Sequence, residues 1–276
     1  MTEGERWARD VLAELRSARF GPRAWVRFLV SSYARARERR RERRRAFREA
    51  LAFGALGLGA WSGVAASGHP VLAAAGAAWW LAVLVMLDWH LGMLERPDGR
   101  PIEGLGAANV LCLARAGVVP ALAVLPPRAL AAVFIASGIL DGLDGPLARA
   151  RDEVTRLGLW LDGATDTIVL GTTAVVLARA GLLPIWVAAL VLARYGLPWV
   201  VVPALYFGCA RAPGFEGYVS GRAPGLVLFA GLGLAALDLP GGAIVAATGA
   251  VGGIVTLGAT GVRLAHLRSG APSTAR

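Results

Sequence analysis

The sequence contains no lysine: all 29 basic residues are arginine and, against 19 acidic residues, they give a formal net charge of +10. It has only two cysteines, Cys112 and Cys209, far apart and each in an apolar context. That spacing suggests neither a disulfide framework nor a thiolate metal site, and both side chains are expected to serve as small packing residues. Charge is sparse as well, at 17% of residues, whereas 56% are hydrophobic and the mean hydropathy is +0.56. A soluble domain of this length is not normally so apolar. The first 50 residues hold no short apolar core followed by a small-residue cleavage site, so no cleavable signal peptide is expected and insertion begins with a retained span. No internal repeat is visible.

What is present is a series of apolar runs, each near the roughly 20 residues that cross a bilayer as a helix. They predict an all-α, polytopic helical membrane bundle of eight spans, approximately 51–67, 71–94, 106–125, 129–145, 157–178, 182–207, 223–239 and 242–266. The Gly- and Ala-rich texture of 223–266 predicts close helix packing. Arginine sets the orientation: 15 of the 29 fall within residues 1–50. Loops on the same side as the N-terminus carry Arg96, Arg100, Arg149, Arg151, Arg156, Arg211, Arg222 and Arg268, and the opposite turns carry only Arg128 and Arg179. By the excess of positive residues on the cytoplasmic side, both termini are expected in the cytoplasm and the protein in the cell membrane.

Residues 1–50 read as a basic interfacial segment. Thr2 and Glu5 form a capping-box pattern, and Trp7, Val11, Leu12 and Leu15 share one helical face. After Gly21-Pro22 come Trp25, Val26, Phe28, Leu29 and Tyr33, leading into "RARERRRERRRAFREA". Amphipathic helices lying on an anionic leaflet account for this better than a solvated charged helix or an arginine-rich nucleic-acid arm, and no nucleic-acid partner is expected.

The stretch "DGLDGPLARARDEVTRLGLWLDGATD" places Asp141, Asp144, Asp162 and Asp166 inside otherwise oily helices, where ionisable groups are expensive and mark function. Residues three and four apart share a helical face. Asp141, Asp144, Gly145, Ala148 and Arg149 therefore form one stripe, and Gly158, Asp162 and Asp166 another. Both lie at the cytoplasmic ends of the fourth and fifth spans. Facing carboxylates repel unless a cation holds them, and hard oxygen ligands favour Mg²⁺, Mn²⁺ or Ca²⁺. Such an ion, with small residues for room and an arginine nearby, suits a bound diphosphate and phosphoryl-group transfer. The plainer alternatives are helix-end capping by Asp141 and Asp144 and pairing of Asp162 and Asp166 with Arg115 or Arg149. Asp152 and Glu153 read as solvated loop charge, and Asp88 and His90 as interfacial structural residues.

The pattern Asp141-x-x-Asp144-Gly145-x-x-Ala148-Arg149, eight residues, then Gly158-x-x-x-Asp162-x-x-x-Asp166 resembles the full signature of the CDP-alcohol phosphatidyltransferase family. Upstream, Asn109 and Arg115 in "NVLCLAR" match the family's first core span, although Cys112 stands where the family usually has Thr or Ser. The resemblance implies a six-span core over 106–266, preceded by an extra hairpin and linker over 51–105 and followed by a tail over 267–276. It implies that Asp141, Asp144, Asp162 and Asp166 bind Mg²⁺ or Mn²⁺ and that Asp166 is also the general base. Asn109, Gly145, Ala148, Arg149 and Gly158 would line the site for a CDP-alcohol such as CDP-diacylglycerol. A small or phosphorylated alcohol would accept the phosphatidyl group and CMP would leave, in phospholipid synthesis, by a homodimer. Arg222, Arg194 and Arg211 are candidate acceptor contacts. Members using phosphorylated acceptors commonly carry Lys or Arg after the last aspartate; this chain has Thr167. Two readings from other classes are a transporter or channel using the acids as a cation site, for which paired halves with broken helices are not found, and a scaffold recruiting anionic partners through its arginines.

Overall fold

The computed structural model describes residues 3–209 and 222–269. Thr2 and the Glu5 side chain, which carry the expected capping box, and Arg211 lie outside the described residues. Among the described residues there is no strand, only an isolated antiparallel bridge between Glu95 and Pro101.

Helix α1 (Glu3–Ser17) buries Leu12 and Leu15 and turns through Arg19 and Phe20, both at positive φ, into α2 (Pro22–Glu42). Pro22 opens α2 where its missing N–H removes no helical hydrogen bond. Arg35 and Arg39 of α2 each donate to Glu3 at 2.8 Å, closing the hairpin. Trp25 and Phe28 pack on Phe207 with ring centroids 5.3 and 5.9 Å apart, seating the hairpin against a core helix.

The basic run does not stay at the interface throughout. Helix α3 (Arg44–Ala66) starts seven residues before the expected span boundary at 51, because Ala46 and Ala50 are buried and the Ala46 N–H donates to the Glu103 carbonyl at 3.1 Å. Helix α4 (Pro70–His90) returns antiparallel. A Cβ on Gly57 would collide with Trp80, and one on Gly76 with Trp61, so these glycines let two tryptophans enter the α3–α4 seam. Asp88 pairs with Arg40, and His90 Nδ1 lies 2.7 Å from the Met86 carbonyl, matching their structural reading.

The third expected span is broken. Helix α5 (Ala107–Gly117) stops at Val118, and Pro120 lies in the short α6 (Val119–Leu122). Proline lacks the N–H needed to continue α5. The helices α7 (Pro127–Ala150), α8 (Arg156–Arg179), α9 (Ile185–Cys209), α10 (Arg222–Ala236) and α11 (Gly242–Ser269) complete the chain. Among the described residues, six helices are long and apolar enough to cross a membrane: α3, α4 with its 3₁₀ extension to Met93, α7, α8, α9 and α11. The described segments Ala107–Leu122 and Arg222–Ala236 are apolar but shorter, so two of the eight expected spans fall short of that length. The class is a helical membrane bundle.

Two buried clusters hold it together. One joins α6 through α11 around Phe134, Leu170, Val187, Leu228 and Ala246. The other joins α3 and α4 to α5 and α8 through Trp61, Trp80, Leu91, Leu105, Leu113 and Leu161. The N-terminal hairpin therefore shares its core with the signature helices, and Trp79 Nε1 adds a 2.8 Å hydrogen bond to the Ala116 carbonyl. Between α10 and α11 the backbones touch: a Cβ on Gly231 or Gly249 would strike the backbone of Ala246 or Leu228. This is the small-residue packing expected where apolar helices gain nothing by mere burial in lipid.

Candidate active site

Three helices build the site. Helix α5 contributes Asn109, Cys112 and Arg115, all buried, at successive intervals of three. Helix α7 contributes Ser137, Asp141, Asp144, Gly145, Ala148 and Arg149, and α8 contributes Gly158, Asp162 and Asp166. The start of α8 is fixed by Thr155, whose hydroxyl accepts from the Gly158 N–H at 3.0 Å. That N-cap sets the register of both α8 aspartates.

The two aspartate stripes face each other, as their spacing predicts, and Arg115 stands between them. Its Nη1 lies 2.5 Å from Asp141, 3.5 Å from Asp144 and 3.5 Å from Asp162, and its Nη2 lies 2.6 Å from Asp166. Its Nε donates to Ser137 Oγ at 3.4 Å. Pairing with Arg115, set out above as the plainer account of Asp162 and Asp166, thus extends to all four acids. One guanidinium faces four carboxyl groups and cannot pair fully with all of them. Carboxylate oxygens of Asp141, Asp162 and Asp166 approach within 4.8 Å of one another, as do ligand atoms of Cys112, Asp144 and Asp162. Asp162 Oδ1 makes no hydrogen bond, and its described cation is Arg115 Nη1 at 3.5 Å. A hard divalent cation fits this donor set and the excess of carboxylates over guanidinium.

Cys112 is more than a packing residue, because its thiol donates to Asp144 Oδ2 at 3.2 Å. Asn109 Nδ2 donates to the Leu105 carbonyl at 2.7 Å, and a Cβ on Gly158 would come within 2.8 Å of Asn109 Oδ1. Glycine at 158 leaves room for that carboxamide. Arg149 is exposed one turn beyond Gly145, with its guanidinium near the Gly145 Cα.

Sequence reasoning named Arg115 as a match to the family's first core span and as a partner for Asp162 and Asp166, but not as the cation shared by all four acids. It missed two further features. Glu153, read as loop charge, accepts from the Ala107 N–H at 3.1 Å and caps α5, while Asp152 pairs with Arg96 at 2.9 Å. Thr167 is engaged: its hydroxyl donates to the Gly163 carbonyl and accepts from Trp199 Nε1, both at 2.8 Å. Of the acceptor candidates, Arg194 is buried with its guanidinium 4.9 Å from the Tyr195 ring and pressed against Gly253, and Arg222 is exposed at the start of α10. The cation described at the acid cluster is Arg115.

An all-helical membrane bundle with this acid cluster defines the class, and comparison with known proteins agrees. The family model described as CDP-alcohol phosphatidyltransferase matches residues 105–260, more than half of the chain, and the chain belongs to that family. A Mycobacterium bovis protein provisionally named a cardiolipin synthase is 31% identical over 107 residues, 37% of this chain and 51% of that protein. The cardiolipin synthase (CMP-forming) of Streptomyces coelicolor is 38% identical over 73 residues, 26% of this chain and 34% of its own. The CDP-diacylglycerol–serine O-phosphatidyltransferase of Mycobacterium bovis is 35% identical over 83 residues, 30% of this chain and 26% of its own. The chain spans about half the length of the first of these curated relatives, and less of the others. No solved structure matches it.

Proposed function

We propose that the protein transfers a phosphatidyl group from CDP-diacylglycerol to an alcohol hydroxyl, releasing CMP, as a step of phospholipid synthesis. The observation that carries this reading is the Arg115-centred cluster: four carboxyl groups of the signature converge on a single guanidinium, at the family's motif. CDP-diacylglycerol is favoured as donor because the serine transferase relative names it.

Asp141, Asp144, Asp162 and Asp166 would hold Mg²⁺ or Mn²⁺. Bound there, the ion neutralises phosphate charge and improves CMP as a leaving group. Gly145, Ala148 and Gly158 leave space for the diphosphate, Arg149 offers a forked donor to its oxygens, and Asn109 lies at the Gly158 edge of the same space. Asp166 takes the proton of the acceptor hydroxyl as its oxygen bonds to phosphorus. The bond from that phosphorus to the CMP oxygen breaks, and the electron pair leaves with CMP. Arg115 holds Asp166 by Nη2 beforehand, orienting the carboxylate that becomes the base. Arg222 is favoured as an acceptor contact, with Arg211 the weaker candidate. Arg194, buried against Gly253 and beside Tyr195, is better suited to fixing α9 against α11.

The arginine distribution supports a cytoplasmic active site in the cell membrane. The α1–α2 hairpin would lie on the inner leaflet, since Val26, Leu29, Val30 and Tyr33 are exposed along α2 among arginines. The family resemblance favours a homodimer. Asp166→Asn is expected to remove CMP release from CDP-diacylglycerol while the protein still folds. Undiminished CMP release by that variant would overturn the assignment.

A further inference from the structure

The α3–α4 hairpin precedes the family match, yet its first helix contacts the loop that leads into α5. The entry to α5 is held from two sides by carboxylates. Glu49 of α3 accepts from the Leu105 N–H at 2.7 Å, and Glu153 accepts from the Ala107 N–H at 3.1 Å. The first N–H groups of a helix have no helical partner, and negative charge is favourable there. The surrounding backbone is shaped for these contacts. A Cβ on Gly104 would stand 3.0 Å from Glu49 Oε2, and Gly106, at φ +83°, would place one 3.3 Å from Glu153 Oε2.

Leu105, fully buried, links the hairpin to the site. Its N–H is fixed by Glu49, and its carbonyl accepts from Asn109 Nδ2 at 2.7 Å. That hydrogen bond orients the Asn109 carboxamide and turns Oδ1 toward Gly158. The Ala46 N–H to Glu103 carbonyl bond, 3.1 Å, docks the first turn of α3 on the same loop.

We propose that Glu49 is a positioning residue for donor binding: through Leu105 it sets the Asn109 carboxamide, so the N-terminal hairpin completes the CDP-alcohol pocket. This role rests on the placement of Asn109 in that pocket. The test measures equilibrium binding of labelled CDP-diacylglycerol, in mixed micelles with Mg²⁺, to the full chain and its variants, with thermal unfolding recorded alongside. Glu49→Ala is expected to weaken binding about tenfold, the effect of roughly one hydrogen bond's worth of orientation. Glu49→Gln, whose amide oxygen still accepts from Leu105, keeps affinity within about twofold. Arg45→Ala, which removes the 2.9 Å ion pair to Glu49 and a 3.7 Å ion pair to Glu103 but keeps the Glu49 carboxylate on Leu105, leaves it unchanged. Gly104→Ala, which pushes on the carboxylate without removing it, weakens binding in the same direction and guards against a Glu49→Ala variant that fails to fold. Once Asn109→Ala is present, Glu49→Ala adds no further loss, because the two act in series.

Wild-type affinity in a folded Glu49→Ala protein, an Arg45→Ala loss equal to that of Glu49→Ala, or losses that multiply in the double variant would each overturn the proposal. Failure of the wild type itself to bind CDP-diacylglycerol would instead overturn the donor assignment, and with it this role.

Discussion

Replacing Arg115 by methionine tests the electrostatic account of the site most directly. The side chain is almost fully buried, at 3% exposure, and is the cation to which Asp141, Asp144, Asp162 and Asp166 all turn. Methionine keeps much of the length and removes the charge. Breaking a buried ion pair by removing one partner typically costs about 3–5 kcal/mol. Asp141 and Asp162 are 40% and 48% exposed, and their share is screened by solvent, so the lower end, about 3 kcal/mol, is the expectation. For a chain of this size that is on the order of 6–12 °C in unfolding temperature. The variant and the wild type would be melted in detergent by tryptophan fluorescence, in EDTA and then with Mg²⁺ in excess. Ligand present at about 100 times its dissociation constant stabilises by about 2.7 kcal/mol. The four acids of the variant have no other described cation among them, so Mg²⁺ is expected to restore most of its deficit and to shift it further than the wild type. A variant as stable as wild type in EDTA, or equal Mg²⁺ shifts in the two proteins, would refute the claim that Arg115 balances a cluster built for cations.

Two further substitutions separate the pocket from the packing. Gly158→Ala is expected to raise the donor KM about tenfold with little change in unfolding temperature, since the new Cβ would meet Asn109 Oδ1 at 2.8 Å and Thr155 Oγ1 at 3.2 Å; steady-state kinetics on CDP-diacylglycerol check it. Gly249→Leu is expected to lower the unfolding temperature by the equivalent of at least about 3 kcal/mol, because overpacking must here push a backbone aside, whereas Gly258→Ala, with nothing within 4 Å of its Cβ, should change little.

The legible part of the site is the part written in local spacing. Intervals of three and four put Asp141 with Asp144, and Asp162 with Asp166, on single faces whatever the surroundings. Partners distant along the chain were not legible in the same way. Glu153 looked like loop charge because the N–H it accepts from lies 46 positions upstream. The run at 44–50 looked interfacial because its arginines dominate the composition, although Ala46 and Ala50, four apart, already marked a buried face. The break after Gly117 was hidden because composition stays apolar across it, and only Pro120 signalled the end of the helix.

That break is what makes α5 suited to its position. A helix of eleven residues cannot span a bilayer, and α5 is enclosed by α4, α7 and α8. Enclosure allows it to carry Asn109, Cys112 and Arg115 on one arc with each side chain satisfied: Asn109 by Leu105, Cys112 by Asp144, and Arg115 by Ser137 and the aspartates. A full-length span with the same three residues would have to keep them from lipid over its whole length. The short helix needs anchoring only at its ends, by Glu49 and Glu153 at the start and by Trp79 bonding to the Ala116 carbonyl at the finish. Two of those three anchors, Glu49 and Trp79, come from the hairpin that precedes the family match. The N-terminal hairpin and the signature helices are thus one packed unit, and a variant lacking residues 1–104 should lose the geometry of α5 along with the hairpin.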